Sequence, residues 1–85
     1  MSRPSFLVFG AGAWGTALSV QLNRSGNKVF LSSFDEANLS KIDATRQNEK
    51  YLSGIKLPDE IGVSVLTQEI LDKVECIIIC VKSPY

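Results

Sequence analysis

Eighty-five residues, 45% of them apolar, make one small globular domain with a modest buried fraction and leave no room among them for a second. Nine basic and nine acidic residues cancel to a net charge of zero without a block of either sign, which excludes a nucleic-acid footprint and a polybasic membrane patch. An anionic ligand must therefore be held by local geometry.

The chain opens Met1-Ser-Arg-Pro-Ser5 and passes directly into the apolar run Phe6-Leu-Val-Phe9, too short for a signal sequence or a membrane span, so a cytoplasmic protein without a span is expected. Ser5 to Phe9 reads as a strand, apolar nearly throughout, as at the centre of a parallel sheet covered on both faces. Gly10, Gly12 and Gly15 follow at G-x-G-x-x-G spacing, and a helix is predicted from about Ala13 to Ser25. Its inward stripe is expected to run through Trp14, Leu18, Gln21 and Leu22, with Ala17 and Val20 beside it and Gly26-Asn27 as a left-handed C-cap. Lys28 to Ser32 returns as a second parallel strand and closes a βαβ unit of the usual ~30 residues.

Asp35 and Glu36 then mark the first turn of a helix to about Thr45, anchored by Ala37, Leu39 and Ile42. Gln47 to Gly62 is a long connection whose Tyr51, Leu52, Ile55 and Leu57 argue for order, and long ordered loops are often functional. Val63 to Leu66 reads as a short strand, Thr67 caps a brief helix to about Lys73, and Glu75 to Val81 is a buried-type strand. The order βαβαβαβ predicts an α/β fold, a Rossmann-type doubly wound parallel sheet with strand order 3-2-1-4. That sheet is incomplete: the unbroken Ile77-Ile78-Ile79 implies cover on both faces and further strands alongside. An uncovered apolar edge there is a template for pairing, so self-association through the fourth strand is a second expectation.

Cys76 and Cys80 lack C-x-x-C spacing, which points to buried reduced thiols and to no metal site. The chain has no histidine, so Ser-His nucleophilic catalysis is excluded.

Strand, glycine turn and helix in this order form the context a dinucleotide site requires. Gly10 supplies the positive φ of the bend, Gly12 lets a pyrophosphate approach the main chain, and Gly15 lets the helix pack on the strand. The anion would rest on free N–H groups at the positive helix end, where Ala13 and Trp14 sit. The competing reading is a glycine turn that serves packing alone, with Trp14 part of the core. Strand alternation puts Ser33 at the end of the second strand, where an acid would bond a ribose 2′-hydroxyl and repel a 2′-phosphate. Serine forbids neither NAD nor NADP, so the cofactor preference stays open. Asp35, two residues further on, reads as a helix-start residue ahead of a ribose ligand, while Lys41 and Arg46 default to solvated surface.

Gly10-Ala-Gly-Ala-Trp-Gly-Thr-Ala-Leu18 strongly resembles the bacterial NAD(P)-dependent glycerol-3-phosphate dehydrogenases. Asn48-Glu-Lys-Tyr-Leu-Ser-Gly-Ile-Lys-Leu-Pro58 is similar to that family's N-x-x-Y-L-P-G-x-x-L-P segment, with Ser53 where proline is usual. Val81-Lys-Ser-Pro84 departs from the usual V-P-S-Q. The resemblance covers essentially the whole chain and implies an N-terminal part of the cofactor-binding domain, residues 1–85, without the C-terminal substrate domain. It implies reduction of dihydroxyacetone phosphate to sn-glycerol 3-phosphate for phospholipid synthesis. The family's catalytic lysines lie beyond these residues, so no catalytic residue is assigned here and the isolated chain is expected to be inactive. By the same resemblance Ala13 and Trp14 contact the cofactor, Phe34 stands where arginine or histidine is common and can stack on adenine, and Tyr51 either lines the adenosine side or pins its loop. Lys82 is not at a position that the family uses for catalysis. The alternative function is a non-catalytic nucleotide-binding or interaction module, and a Rossmann dehydrogenase for another substrate is a third.

Overall fold

The apolar segment Ser5–Phe9 (β1) lies inside a four-stranded sheet in the computed structural model, which describes residues 3–80. It pairs in parallel with Lys28–Ser32 (β2) on one side and Cys76–Ile79 (β6) on the other, and Gly62–Val63 (β5) extends the sheet beyond β2. The spatial order β5-β2-β1-β6 is 3-2-1-4 when the strands of this sheet are counted along the chain, as the sequence predicts. Between them run helices α1 (Ala13–Arg24), α2 (Glu36–Thr45) and α3 (Gln68–Lys73). The long connection holds a further pair, β3 (Gln47–Asn48) and β4 (Leu52–Lys56), an antiparallel hairpin that the reading βαβαβαβ did not include.

Val8, Val29 and Leu31 are fully buried and pack with Val20 of α1 and Leu39 and Ile42 of α2. Taking a side chain of this size out of water contributes about 1.5–3 kcal/mol. Leu57 and Ile61 of the long connection, each 1% exposed, join the same core, so the connection is structural as well as ordered. Ala37 is not an anchor; Asn38 is buried in its place. The third strand is shorter than expected, and Val65 and Leu66 are exposed.

The stripe expected on α1 is displaced. Gly15, Thr16, Ser19 and Val20 face inward, while Trp14 is 73% exposed and Leu18 and Leu22 are half-buried. Hydrophobicity points to the large residues, but close approach selects the small ones: a Cβ on Gly15 would land on the Gly10 carbonyl oxygen. Ser19 stays buried because its hydroxyl donates to the Gly15 carbonyl at 2.8 Å. The helix ends as predicted, with Gly26 at φ 95°, Gly26 N–H on the Asn23 carbonyl and Asn27 N–H on the Leu22 carbonyl, a Schellman motif.

Two other expectations are corrected. Arg46 is not solvated surface: its guanidinium donates to the carbonyls of Pro58 (2.7 Å) and Ile61 (2.6 Å) and clamps the end of the long connection onto α2. Cys76 is exposed and Cys80 half-buried, both free thiols, because β6 forms the sheet edge among the described residues. By strand alternation Leu7, Ile77 and Ile79 share the face opposite α1 and α2, where Ile77 is 49% and Ile79 66% exposed. Cover on both faces of β6, as its apolar run implies, is therefore not found among the described residues. Val81 and Lys82 lie outside them.

Candidate functional site

The bend from β1 into α1 is built from main chain. Gly10 adopts φ 121°, its N–H donates to the Ser32 carbonyl at 2.8 Å, and an added Cβ would collide with the Cys80 carbonyl. The Cys80 N–H in turn reaches the Phe9 carbonyl at 2.7 Å, so β2 and β6 close on the glycine from both sides. Gly10 and Gly15 are thus explained by folding alone.

Gly12 is not. It is the N-cap of α1 with an extended backbone (φ −80°, ψ −170°), and a Cβ there would meet no heavy atom within 4 Å. The first bond of α1 runs from Thr16 N–H to the Gly12 carbonyl, so the N–H groups of Ala13, Trp14 and Gly15 precede it. No side chain caps this helix and no acid stands in its first turn, whereas Asp35 and Glu36 begin α2 and Thr67 and Glu69 begin α3. The positive end of α1 is left open to an anion.

A cleft of about 590 Å³ opens over this turn. All eight residues predicted to bind a cofactor, Gly10, Gly12, Ala13, Trp14, Gly15, Ser33, Phe34 and Tyr51, line it. The Trp14 indole stands at its wall and not in the core. Phe34, 91% exposed, meets Phe9 edge to face with ring centroids 4.8 Å apart, giving that end an apolar wall. Tyr51 is half-exposed on the hairpin, with the Lys50 ammonium 5.2 Å above its ring.

Asp35 also lines the cleft. One carboxylate oxygen accepts the Asn38 N–H at 3.0 Å as the cap of α2, and the other accepts Lys50 Nζ at 3.2 Å. The Asn38 N–H first, and Lys50 second, hold its carboxyl below the ordinary aspartate range, and Asp35 with Tyr51 raises the Lys50 ammonium. A lowered carboxyl stabilises the fold fully above the unfolded pKa and loses that effect only as pH falls through the folded one. Asp35 is therefore ionised throughout the neutral range.

The residue missed from sequence is Asn48, 0% exposed. Its amide nitrogen donates to the Ala11 carbonyl (2.7 Å) and the Thr16 hydroxyl (2.8 Å), and its amide oxygen accepts from Asn38 (3.3 Å). It rivets the hairpin to the glycine turn. Its one signal was its place at the head of the Asn48 to Pro58 segment. Replacing it with alanine leaves the Ala11 carbonyl and Thr16 hydroxyl unpaired, a cost of about 1–3 kcal/mol. Urea unfolding of Asn48→Ala checks this, and an unchanged midpoint would show the bonds to be dispensable.

A glycine turn between a central parallel strand and an uncapped helix, at the carboxyl end of a doubly wound sheet, defines the class: a Rossmann-type dinucleotide-binding fold. The sequence model of the family described as NAD-dependent glycerol-3-phosphate dehydrogenase N-terminus matches residues 5–85, and the chain belongs to that family. It is 38% identical over 76 residues to a glycerol-3-phosphate dehydrogenase [NAD(P)+] of Thermoanaerobacter sp., covering 89% of this chain and 23% of the relative. The enzyme of the same name from Xanthomonas campestris is 38% identical over 85 residues, covering 98% and 25%. The crystal structure of glycerol-3-phosphate dehydrogenase from Coxiella burnetii superposes with a TM-score of 0.84 at 31% identity, over 91% of this chain and 24% of that one. The chain thus spans about a quarter of the length of these relatives.

Proposed function

We propose that residues 1–85 are the N-terminal part of a dinucleotide-binding domain and hold the pyrophosphate of NAD or NADP on the main chain of Gly12 to Gly15. The observation that carries this is Gly12: protein packing does not require a glycine there, and a ligand pressed against the backbone does. Ala13 and Trp14 supply N–H groups, Phe34 offers a face to the adenine, and Ser33 and Tyr51 bound the adenosine end. The bound nicotinamide supplies hydride chemistry.

The whole protein, on this reading, is a cytoplasmic glycerol-3-phosphate dehydrogenase that reduces dihydroxyacetone phosphate to sn-glycerol 3-phosphate for phospholipid synthesis. Such a reduction needs a cation at the carbonyl oxygen and a proton donor. On this reading both groups come from residues outside the described cleft, and this chain alone is expected to bind cofactor without turnover.

Trp14, the single tryptophan and a cleft residue, makes the test direct. Titration of the 85-residue chain with NADH and NADPH is expected to give a saturable change in Trp14 emission, with no oxidation of either on adding dihydroxyacetone phosphate. Absence of saturation with both nucleotides would overturn the cofactor reading, and turnover would overturn the assignment of catalysis to residues outside this chain. The second reading, a non-catalytic interaction module, is favoured by one observation, the exposed Ile77 and Ile79 of β6. Sedimentation of the same sample decides it: a uniform monomer at high concentration contradicts self-association through that edge.

A further inference from the structure

The adenosine end of the cleft carries more information than the pyrophosphate end. The turn from β2 into α2 presents a hydroxyl (Ser33), an aromatic ring (Phe34) and a carboxylate (Asp35), and no cation. The Ser33 hydroxyl accepts the Asp35 N–H at 3.1 Å and keeps its own proton to donate. Unlike the start of α1, the start of α2 is already taken by an anion: Asp35 bonds the Asn38 N–H, the Glu36 N–H reaches the Phe34 carbonyl, and the Leu39 N–H closes on the Asp35 carbonyl. A phosphate arriving there finds the dipole spent and a fixed negative charge beside it.

Arg46 is locked on the Pro58 and Ile61 carbonyls and has no reach. Lys50 is paired with Asp35, both about half-exposed, a pairing that solvent screens heavily. Lys41 and Lys50 line an adjoining hollow, but Glu49 and Asp35 line it too, so it gathers no net positive charge. Glu36 faces a different hollow, beside Ser40 and Asp43.

We infer that this cleft selects the nucleotide with a free ribose 2′-hydroxyl over the one with a 2′-phosphate, and that Asp35, fixed at the cleft wall by its bond to the start of α2, is the residue that imposes the choice. The inference rests on the dinucleotide reading above. Asp35 repels the added charge, and Lys50 moderates that repulsion by half-neutralising the carboxylate.

Parallel titrations with NADH and NADPH, followed through Trp14 at low salt, test it. The 85-residue chain is expected to bind NADH on the order of ten-fold more tightly than NADPH, the size of one like-charge contact at a solvated wall. Asp35→Asn keeps a residue that caps helices well, so the fold is retained while the charge goes, and the ratio falls toward one through tighter NADPH binding. Lys50→Ala widens the ratio by exposing the carboxylate. Equal affinities in the unsubstituted chain, tighter NADPH binding, or a ratio unmoved by Asp35→Asn overturns the inference. A weakening of NADPH binding by Lys50→Ala that persists in the Asp35→Asn background also overturns it, by making Lys50 a phosphate receptor in its own right. Failure to bind either nucleotide is a different result, and strikes the dinucleotide reading itself.

Discussion

Gly12→Ala is expected to weaken NADH binding by about 10–100-fold, the loss of one or more charge-assisted hydrogen bonds, while the melting temperature stays within a few degrees. The backbone at Gly12 sits in the extended region open to any residue, and the new methyl meets no protein atom. A small gain from restricting the unfolded chain, about 0.4–1 kcal/mol, is offset by alanine's poorer performance at a helix N-cap. On the proposed reading the methyl would stand between a pyrophosphate and the main chain that it must approach. Calorimetric titration beside a melt reads both quantities from one preparation. A melting temperature that drops sharply, with affinity following it, would return Gly12 to a packing role and remove the main support for the cofactor.

Gly15→Ala should do the reverse. Its methyl would strike the Gly10 carbonyl oxygen, a main-chain atom held by the β1–β2 pairing, so α1 must lift from the sheet. Overpacking of this kind costs about 1–3 kcal/mol and more where backbone must move. Against the ~4–13 kcal/mol total of a chain this size, that lowers the melting temperature by roughly 10–20 °C. A melt at the original temperature would show the helix to have slack at its first turn.

The opposite outcomes at two glycines three residues apart show which parts of the fold the residues announced. Strand order, the α1 cap at Gly26 and the start of α2 at Asp35 and Glu36 were legible because each rests on a local rule: strand–helix alternation, left-handed glycine, acids at the positive end of a helix. That Asp35 is the cap and not part of the first turn is a finding of the structure. All eight candidate site residues came together because the β1–α1 turn and the β2–α2 turn open at the same end of a parallel sheet. The inward face of α1 was misread, since periodicity weighs Leu18 and Trp14 by size while Thr16 and Ser19 are admitted by closeness. Arg46 and Asn48 were beyond reach for a related reason. Their partners are carbonyls and amides distant in sequence, and no local pattern states that a guanidinium will find Pro58 and Ile61 or that an amide will find Ala11 and Thr16. The hairpin that carries Asn48 went unseen with it.

That same amide makes the strap over the cleft and the turn beneath it one mechanical body. The bond from Asn48 to Ala11 grips the backbone between Gly10 and Gly12, so a ligand that immobilises the turn is expected also to quiet the strap. Occupancy of the cleft would then be felt at Tyr51 and Leu52 as slowed amide exchange, including at positions that no part of the ligand touches.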